Sequence, residues 1–494
     1  MAKVAIIGAG VGGLASAIRF ANAGHQVSIF EANSHPGGKI NNLSLGEFRW
    51  DMGPSVFTAP KYIEDLYKLC GKDFSEFKYK RLENTFNYFF NDGTRFSLPA
   101  EPNAMLDVFE NELGEDRSVV KEYLIKAGKN YNSIAPLFIE KSLHRFIHLF
   151  TGDLFKALAR LPKYKLNSTM NEENNSTFKN EKTIQLFNRY ATYNGSSPFK
   201  SPAMLNMIQH LELNEGVFLP ENGMVQIAKS LYKLALDQGA KFYFNEKVTS
   251  IDTKNNKVTG ITTDQRSEEF DVVISNMDVA FTYEKLLSES IEKPKKTLNQ
   301  ERSSSAIVFY WGINGSFPEL DVHNMFFSSD YKDEFKQIFE SKTLTNDPSI
   351  YVHITSKEKK EDAPNGKENW FVMINAPINE GQDWEALVQQ TKTNMLKKLG
   401  KHLNTSLAPL IEEEFVMDPI FIEKTYSGAK GSIYGNASNN KYAAFYRHPN
   451  FSKTLSGLYF TGVTVHPGGG IPLAINSAKI TFECYEEDIK KGKL

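Results

Sequence analysis

A strand–glycine–helix succession opens this chain and restricts its fold more than any other stretch. Lys3-Val4-Ala5-Ile6-Ile7 is a short apolar run rich in β-branched residues, the pattern of a strand buried on both faces. Gly8-Ala9-Gly10-Val11-Gly12-Gly13 follows at once, and Leu14 to Ala23 continues at helical spacing until Gly24. Gln26 to Phe30 reads as a second strand and ends at Glu31. A GxGxxG turn between strand and helix, with an acidic residue about 20 positions on, is the context a dinucleotide requires. Gly8 permits the tight turn, Gly10 lets backbone approach a pyrophosphate, and Gly13 lets helix and strand pack closely. The helix N-terminus favours phosphate charge, and Glu31 can hold a ribose hydroxyl.

Two further pieces follow: Pro36-Gly37-Gly38-Lys39, then Phe48-Arg49-Trp50-Asp51-Met52-Gly53-Pro54-Ser55. The succession of glycine turn, acidic residue, paired glycines with a basic residue, and DxGP resembles the opening of the amine-oxidase-like FAD flavoproteins. That resemblance implies FAD, with Gly37 and Gly38 beside its phosphates, the turn from Asp51 to Gly53 supporting the flavin, and Lys39, Pro54 and Ser55 also at the cofactor. The competing reading is a nicotinamide-binding domain in which Gly37-Gly38 is only a turn.

The 494 residues suggest two or three domains with a substantial core. Basic and acidic side chains number 57 and 59, a net charge of -2 that argues against nucleic-acid binding through phosphate neutralisation. Two cysteines, Cys70 and Cys484, are too few for a disulfide framework, which fits a reducing cytoplasm, and no Cys/His spacing suggests a metal site. The apolar run Val4 to Ala17 belongs to the glycine fingerprint rather than to a signal peptide, and no run long enough for a transmembrane helix is visible.

Aromatic-rich runs at 86–90 and 95–98 around Asn91-Asp92-Gly93-Thr94 predict a β-hairpin. Residues 103–165 read as helical, and 167–180 as a polar surface loop. Within the first, Leu137 to Leu161 interleaves apolar residues with Lys141, His144, Arg145, His148, Lys156 and Arg160. Such a basic amphipathic segment can lie in a membrane interface; the plainer alternative is a helical hairpin with an apolar face in the core. Strands return near 241–276 and helix and strand signals alternate from 281 to 415. The expected fold is α/β (α+β overall): a Rossmann-like FAD-binding domain from residues 1–80, 205–290 and 415–494. Residues 81–204 and 291–414 would form an inserted substrate and membrane-associating domain of mixed sheet and helices. No second strand-embedded GxGxxG is visible, so the chain lacks the second nucleotide motif of a two-nucleotide reductase.

Gly457 to Gly462 reads as a strand reaching a glycine, followed by His466-Pro467-Gly468-Gly469-Gly470-Ile471-Pro472 and a closing helix. Glycines here allow a planar ring to lie against backbone. This ending, with Asn276-Met277-Asp278, Gly431 to Gly435 and Arg447-His448-Pro449-Asn450, resembles the bacterial carotenoid (phytoene-type) desaturases nearly end to end. Val463 and Val465 depart from the small and Ser/Thr residues usual in that loop. The resemblance implies FAD-dependent removal of two hydrogens from a C–C bond of a polyene. It places Val248 along the adenine half of FAD, and Asn276, Gly462, Gly468, Gly469, Gly470 and Ile471 at the cofactor.

His466 is the candidate to assist proton loss, against the alternative that it only shapes the loop before Pro467, and Arg189, Tyr190 and Tyr193 are candidates for the substrate side, against the alternative of core aromatics and a surface ion. Tyr190-Ala191-Thr192-Tyr193-Asn194-Gly195 resembles the branch that desaturates 1-hydroxycarotenoids at the 3,4 bond. Expected partners are a carotenoid, the inner membrane face through Leu137 to Leu161, and oxygen or a quinone as electron acceptor, with no nucleic acid. A carotenoid isomerase or oxidase of the same fold, a flavin amine oxidase and a non-redox carotenoid-binding protein are the alternatives.

Overall fold

Five short parallel strands carry the glycine turn. Their order is Leu458–Phe460, Val272–Ser275, Lys3–Ile7, Gln26–Glu31 and Lys241–Phe244. Lys3–Ile7 is central, pairing Val4 with both Val27 and Val272, which explains its near-continuous run of buried apolar side chains. Helices Val11–Asn22, Val225–Asp237 and Ile471–Lys490 pack together, so the first and last parts of the chain share one apolar core. The computed structural model describes residues 1–145, 165 and 167–494.

A second sheet of seven strands runs Ile411–Met417, Ser305–Ile313, Glu368–Ala376, Ile350–Ile354, His323–Phe326, Asn84–Phe89 and Arg95–Pro99. All its pairings are antiparallel except that of His323–Phe326 with Asn84–Phe89. The predicted hairpin is its edge. Strand Ile411–Met417 belongs to this sheet and runs across residue 415, where the sequence places a boundary. Val248–Lys254 begins a separate antiparallel meander with Lys257–Thr263 and Ser267–Glu269.

The expected helical stretch divides into Pro102–Asn111 and Arg117–Ile134, interrupted where Gly114 takes φ +64°. Of Leu137 to Leu161, the part beyond Arg145 lies outside the described residues. The polar stretch 167–180 is a correction: it contains a helix, Met170–Thr177. The reason is a capping box. Thr169 accepts from the Glu172 amide at 3.2 Å while the Glu172 carboxylate accepts from the Thr169 amide at 2.8 Å. Asn174 of this helix is fully buried, its amide donating to Asn188 at 2.9 Å.

Candidate functional site

A cavity of about 480 Å³ draws its wall from the glycine turn, the paired glycines, the C-terminal loop and one face of the mixed sheet. At its glycine end the chain leaves no room for side chains. A methyl on Gly13 would lie 2.1 Å from the Gly8 carbonyl oxygen, which is the close helix–strand contact the motif predicts. Methyls on Gly10, Gly12 and Gly462 would lie 2.7, 2.7 and 2.5 Å from the Asn276 amide group. Asn276 thus joins the first glycine turn to the strand end at Gly462. Gly8 turns at φ +93°, its N–H donating to the Phe30 carbonyl at 2.8 Å.

Gly10, Gly12, Gly37, Gly38, Lys39, Gly53, Pro54, Ser55, Asn276, Gly462, Gly469, Gly470 and Ile471 all line the cavity, as do Arg189 and Tyr193. Gly469 has the ring of Tyr434 2.4 Å from where a Cβ would stand, and Gly470 caps the helix Ile471–Lys490 at φ +101°. Lys39 donates to the Ile433 carbonyl at 2.5 Å, and burial lowers its pKa to about 8. Arg447 also lines the cavity and donates to the Asn436 carbonyl at 3.0 Å; burial lowers its pKa to about 10. Gly468 stands behind this wall, against that guanidinium.

Other predicted residues act from behind the wall. Glu31 accepts from the Ala9 amide at 2.8 Å and from the Asn33 amide at 2.9 Å, bracing the glycine turn. Val248 packs in the apolar cluster with Ile7 and Phe30. Asp51 accepts from Arg49 at 2.5 Å and from the Met224 amide at 2.8 Å, tying the DxGP turn to the helix Val225–Asp237.

His466 is not among the residues that line the cavity, which goes against the proton acceptor and favours the loop-shaping alternative. Its Nε2 hydrogen-bonds the Lys141 carbonyl at 2.8 Å and so carries the proton. Burial pushes its pKa down to about 3. A neutral imidazole spent on a backbone carbonyl shapes the loop before Pro467 and faces away from the ligand space. Tyr190 is likewise turned inward, donating to Glu212 at 2.7 Å.

Away from the glycines the wall is apolar, with Phe86, Met325, Phe371 and Met373 on the sheet side and Ile134 and Phe138 on the helical side. Sequence reasoning missed Glu212, a fully buried carboxylate that pairs with Arg189 at 2.7 Å. One charged residue within a short apolar stretch, Leu211-Glu212-Leu213, was the available signal. Tyr434 was missed as a wall residue because only the folded chain sets it against Gly469.

The cradle has the shape that a dinucleotide needs: backbone exposed at three separated glycine pairs, a helix N-terminus and a long apolar extension. A family model described as flavin containing amine oxidoreductase matches residues 11–481, and the chain belongs to that family. Among solved structures it resembles an oxidoreductase from Methanosarcina mazei, with TM-score 0.61 and 18% identity over 98% of this chain and 100% of that one. It also resembles cyclohexylamine oxidase from Brevibacterium oxydans, with TM-score 0.62 and 14% identity over 99% of each chain.

Sequence relatives narrow the class. The chain is 48% identical to a 1-hydroxycarotenoid 3,4-desaturase from a Flavobacterium species, over 98% of this chain and 99% of that protein. It is 31% identical to a 4,4'-diaponeurosporene oxygenase from Staphylococcus haemolyticus, over 97% and 95%. Within the flavin family it is therefore a member of the bacterial carotenoid desaturases, FAD-dependent oxidoreductases.

Proposed function

We propose that this protein desaturates the 3,4 bond of a 1-hydroxycarotenoid. The observation that carries the reading is the continuity of the glycine cradle with an apolar cavity, in a chain 48% identical to a desaturase of that specificity. Gly10, Gly12, Gly37 and Gly38 with the N-terminus of Val11–Asn22 would hold the FAD phosphates, and Gly469, Gly470 and Ile471 would lie along the ring. Bound there, FAD supplies the two-electron oxidant for removal of two hydrogens from adjacent carbons. The chain's own work is positional. Phe86, Met325, Phe371 and Met373 exclude water and grip a polyene by shape, and the cavity's length selects among chains.

The substrate's source supports a peripheral membrane location on the cytoplasmic face. No helix of the described residues is long and apolar enough to cross a membrane. Ala444 and Phe138 line the cavity, and beside them Tyr442 and Phe445 are 51% and 53% exposed. Phe445 packs edge-on against the half-buried Phe138 at 5.9 Å, so exposed aromatic rings border the ligand space. Such rings suit the lipid interface, from which an insoluble polyene would enter. Oxygen or a membrane quinone is the proposed electron acceptor, since the chain carries a single strand-embedded glycine fingerprint.

The test is anaerobic incubation of FAD-loaded protein with vesicles containing 1-hydroxy-γ-carotene or lycopene, followed by flavin absorbance and product chromatography. Flavin bleaching with a product two hydrogens lighter is the expected result. An oxidised flavin with altered polyene geometry would replace this reading by isomerisation, and an oxygenated product formed once air is admitted would replace it by terminal oxidation.

A further inference from the structure

Ion pairs balance two of the buried guanidiniums around this cavity: Arg189 faces Glu212, and Arg302 faces Asp278. Arg447 has no such partner. It is 4% exposed and lines the cavity, and no carboxylate among the described residues acts on it. Its Nη2 donates to the Asn436 carbonyl at 3.0 Å, and its Nη1 meets the Val463 carbonyl only at 3.5 Å. Nε has no hydrogen-bond partner among the described residues, and packing does not seal it off. Burial, with repulsion from Arg302, lowers the pKa of this guanidinium to about 10.

A buried charge is costly unless something completes the pair. The missing partner must be negative. A polyene or its alcohol carries no charge, whereas FAD has two kinds: its phosphates, and the charge its ring gains on taking up a hydride. Electron balance gives the second. A hydride brings two electrons and one proton, so the ring gains one negative charge while the substrate's other hydrogen leaves as a proton. Position separates the two kinds. The phosphates fall to Gly10, Gly12, Gly37, Gly38 and the N-terminus of Val11–Asn22. The Arg447 guanidinium instead lies against Gly468, 3.2 Å from where a Cβ of that residue would stand, and Gly469, Gly470 and Ile471 continue from there along the cavity wall. We propose that Arg447 supplies the counter-charge for the reduced flavin ring, which makes FAD in this protein a stronger oxidant. A fixed cation placed where charge develops needs no reorganisation during the reaction. The inference rests on the FAD placement given above and not on which carotenoid is bound, so its experiment uses no carotenoid.

Two readouts on the FAD-loaded protein follow ring charge. Sulfite adds to oxidised flavin and leaves the ring anionic, so its Kd, read from the loss of flavin absorbance, reports the counter-charge. The two-electron midpoint potential reports it independently. Arg447→Gln keeps a donor for the carbonyls but removes the charge, and Arg447→Lys keeps the charge. At an effective dielectric of about 20, unit charges about 12 Å apart attract by about tenfold in an equilibrium constant. Arg447→Gln should therefore weaken sulfite binding about tenfold or more and lower the potential by about 30 mV or more, the same factor for a two-electron couple. Arg447→Lys should stay within about threefold of the wild type, because the charge remains. Loss of FAD affinity in Arg447→Gln with sulfite binding and potential unchanged would overturn the proposal and assign the residue to the phosphates. Equal shifts in both variants would also overturn it, marking a bridge between the Asn436 and Val463 loops. If Arg447→Gln does not fold or hold FAD, the reduced wild type carries the test by its absorbance against pH. Its flavin should protonate about one pH unit or more below free reduced FAD, and protonation in step with free FAD would overturn the proposal.

Discussion

Replacing Gly13 by alanine sets two physical effects against each other at one atom. Gly13 lies inside the helix Val11–Asn22, where alanine is favoured over glycine by up to about 1 kcal/mol on intrinsic propensity. The new methyl, however, would stand 2.1 Å from the Gly8 carbonyl oxygen. That oxygen cannot retreat easily. It directly follows a strand, Lys3–Ile7, paired on both sides, and the Gly8 N–H is bound to the Phe30 carbonyl at 2.8 Å. The helix must therefore move by roughly 1 Å, and overpacking of this kind costs about 1–3 kcal/mol. The movement displaces the Gly10 backbone and the helix N-terminus, so the cost falls on cofactor binding as well as on stability. A net loss of about 1.4 kcal/mol would weaken FAD binding about tenfold. Equilibrium dialysis against FAD and thermal unfolding of the apoprotein measure both parts. A Gly13→Ala protein with wild-type FAD affinity and an equal or higher Tm would refute the reasoning, because propensity and not close packing would then govern the position.

Stability should fall on mild acidification. Burial holds His353, His448 and His466 at about 3, against about 6.5 in an unfolded chain. The folded state then refuses protons that the unfolded chain accepts, so stability is intact above about pH 6.5 and is lost as pH falls toward 3. Each histidine contributes a loss of about 2 kcal/mol by pH 5, and a flat unfolding midpoint from about pH 7 to 5 would contradict the burial argument. At the cavity rim, Phe445→Glu places a charge on a side chain 53% exposed; it should change stability by less than about 0.5 kcal/mol while cutting co-sedimentation with vesicles several-fold. Undiminished sedimentation would remove this aromatic pair from the membrane contact.

The cofactor end of the site was legible in the sequence because its constraints are local. Gly8, Gly10, Gly13 and Glu31 lie within about one strand–turn–helix unit, and the physical need for each is set by backbone geometry a few residues away. The hairpin at Asn84–Phe89 and Arg95–Pro99 was legible for the same reason, through its alternation and Asp-Gly turn. The helix Met170–Thr177 was also local, but its polar composition hid the Thr169–Glu172 capping signal. For His466 two readings stood side by side, reactivity beside the glycines or a loop-shaping role, and the contact that favours the second is with Lys141, 325 residues away.

What the order of residues by itself determined is the identity of the nucleotide cradle: runs of β-branched residues make parallel strands, and glycines at fixed offsets leave space that no other residue leaves. Only the tertiary structure decided which side chains line the ligand space and which brace it from behind. Arg189 meets Glu212 across 23 positions and Tyr88 across 101, while Tyr193 faces the cavity and Tyr190, three residues earlier, faces the carboxylate. Such meetings depend on how whole sheets and helices stack, and burial then fixes the protonation and hydrogen-bonding of groups whose sequence neighbours contain no trace of their partners.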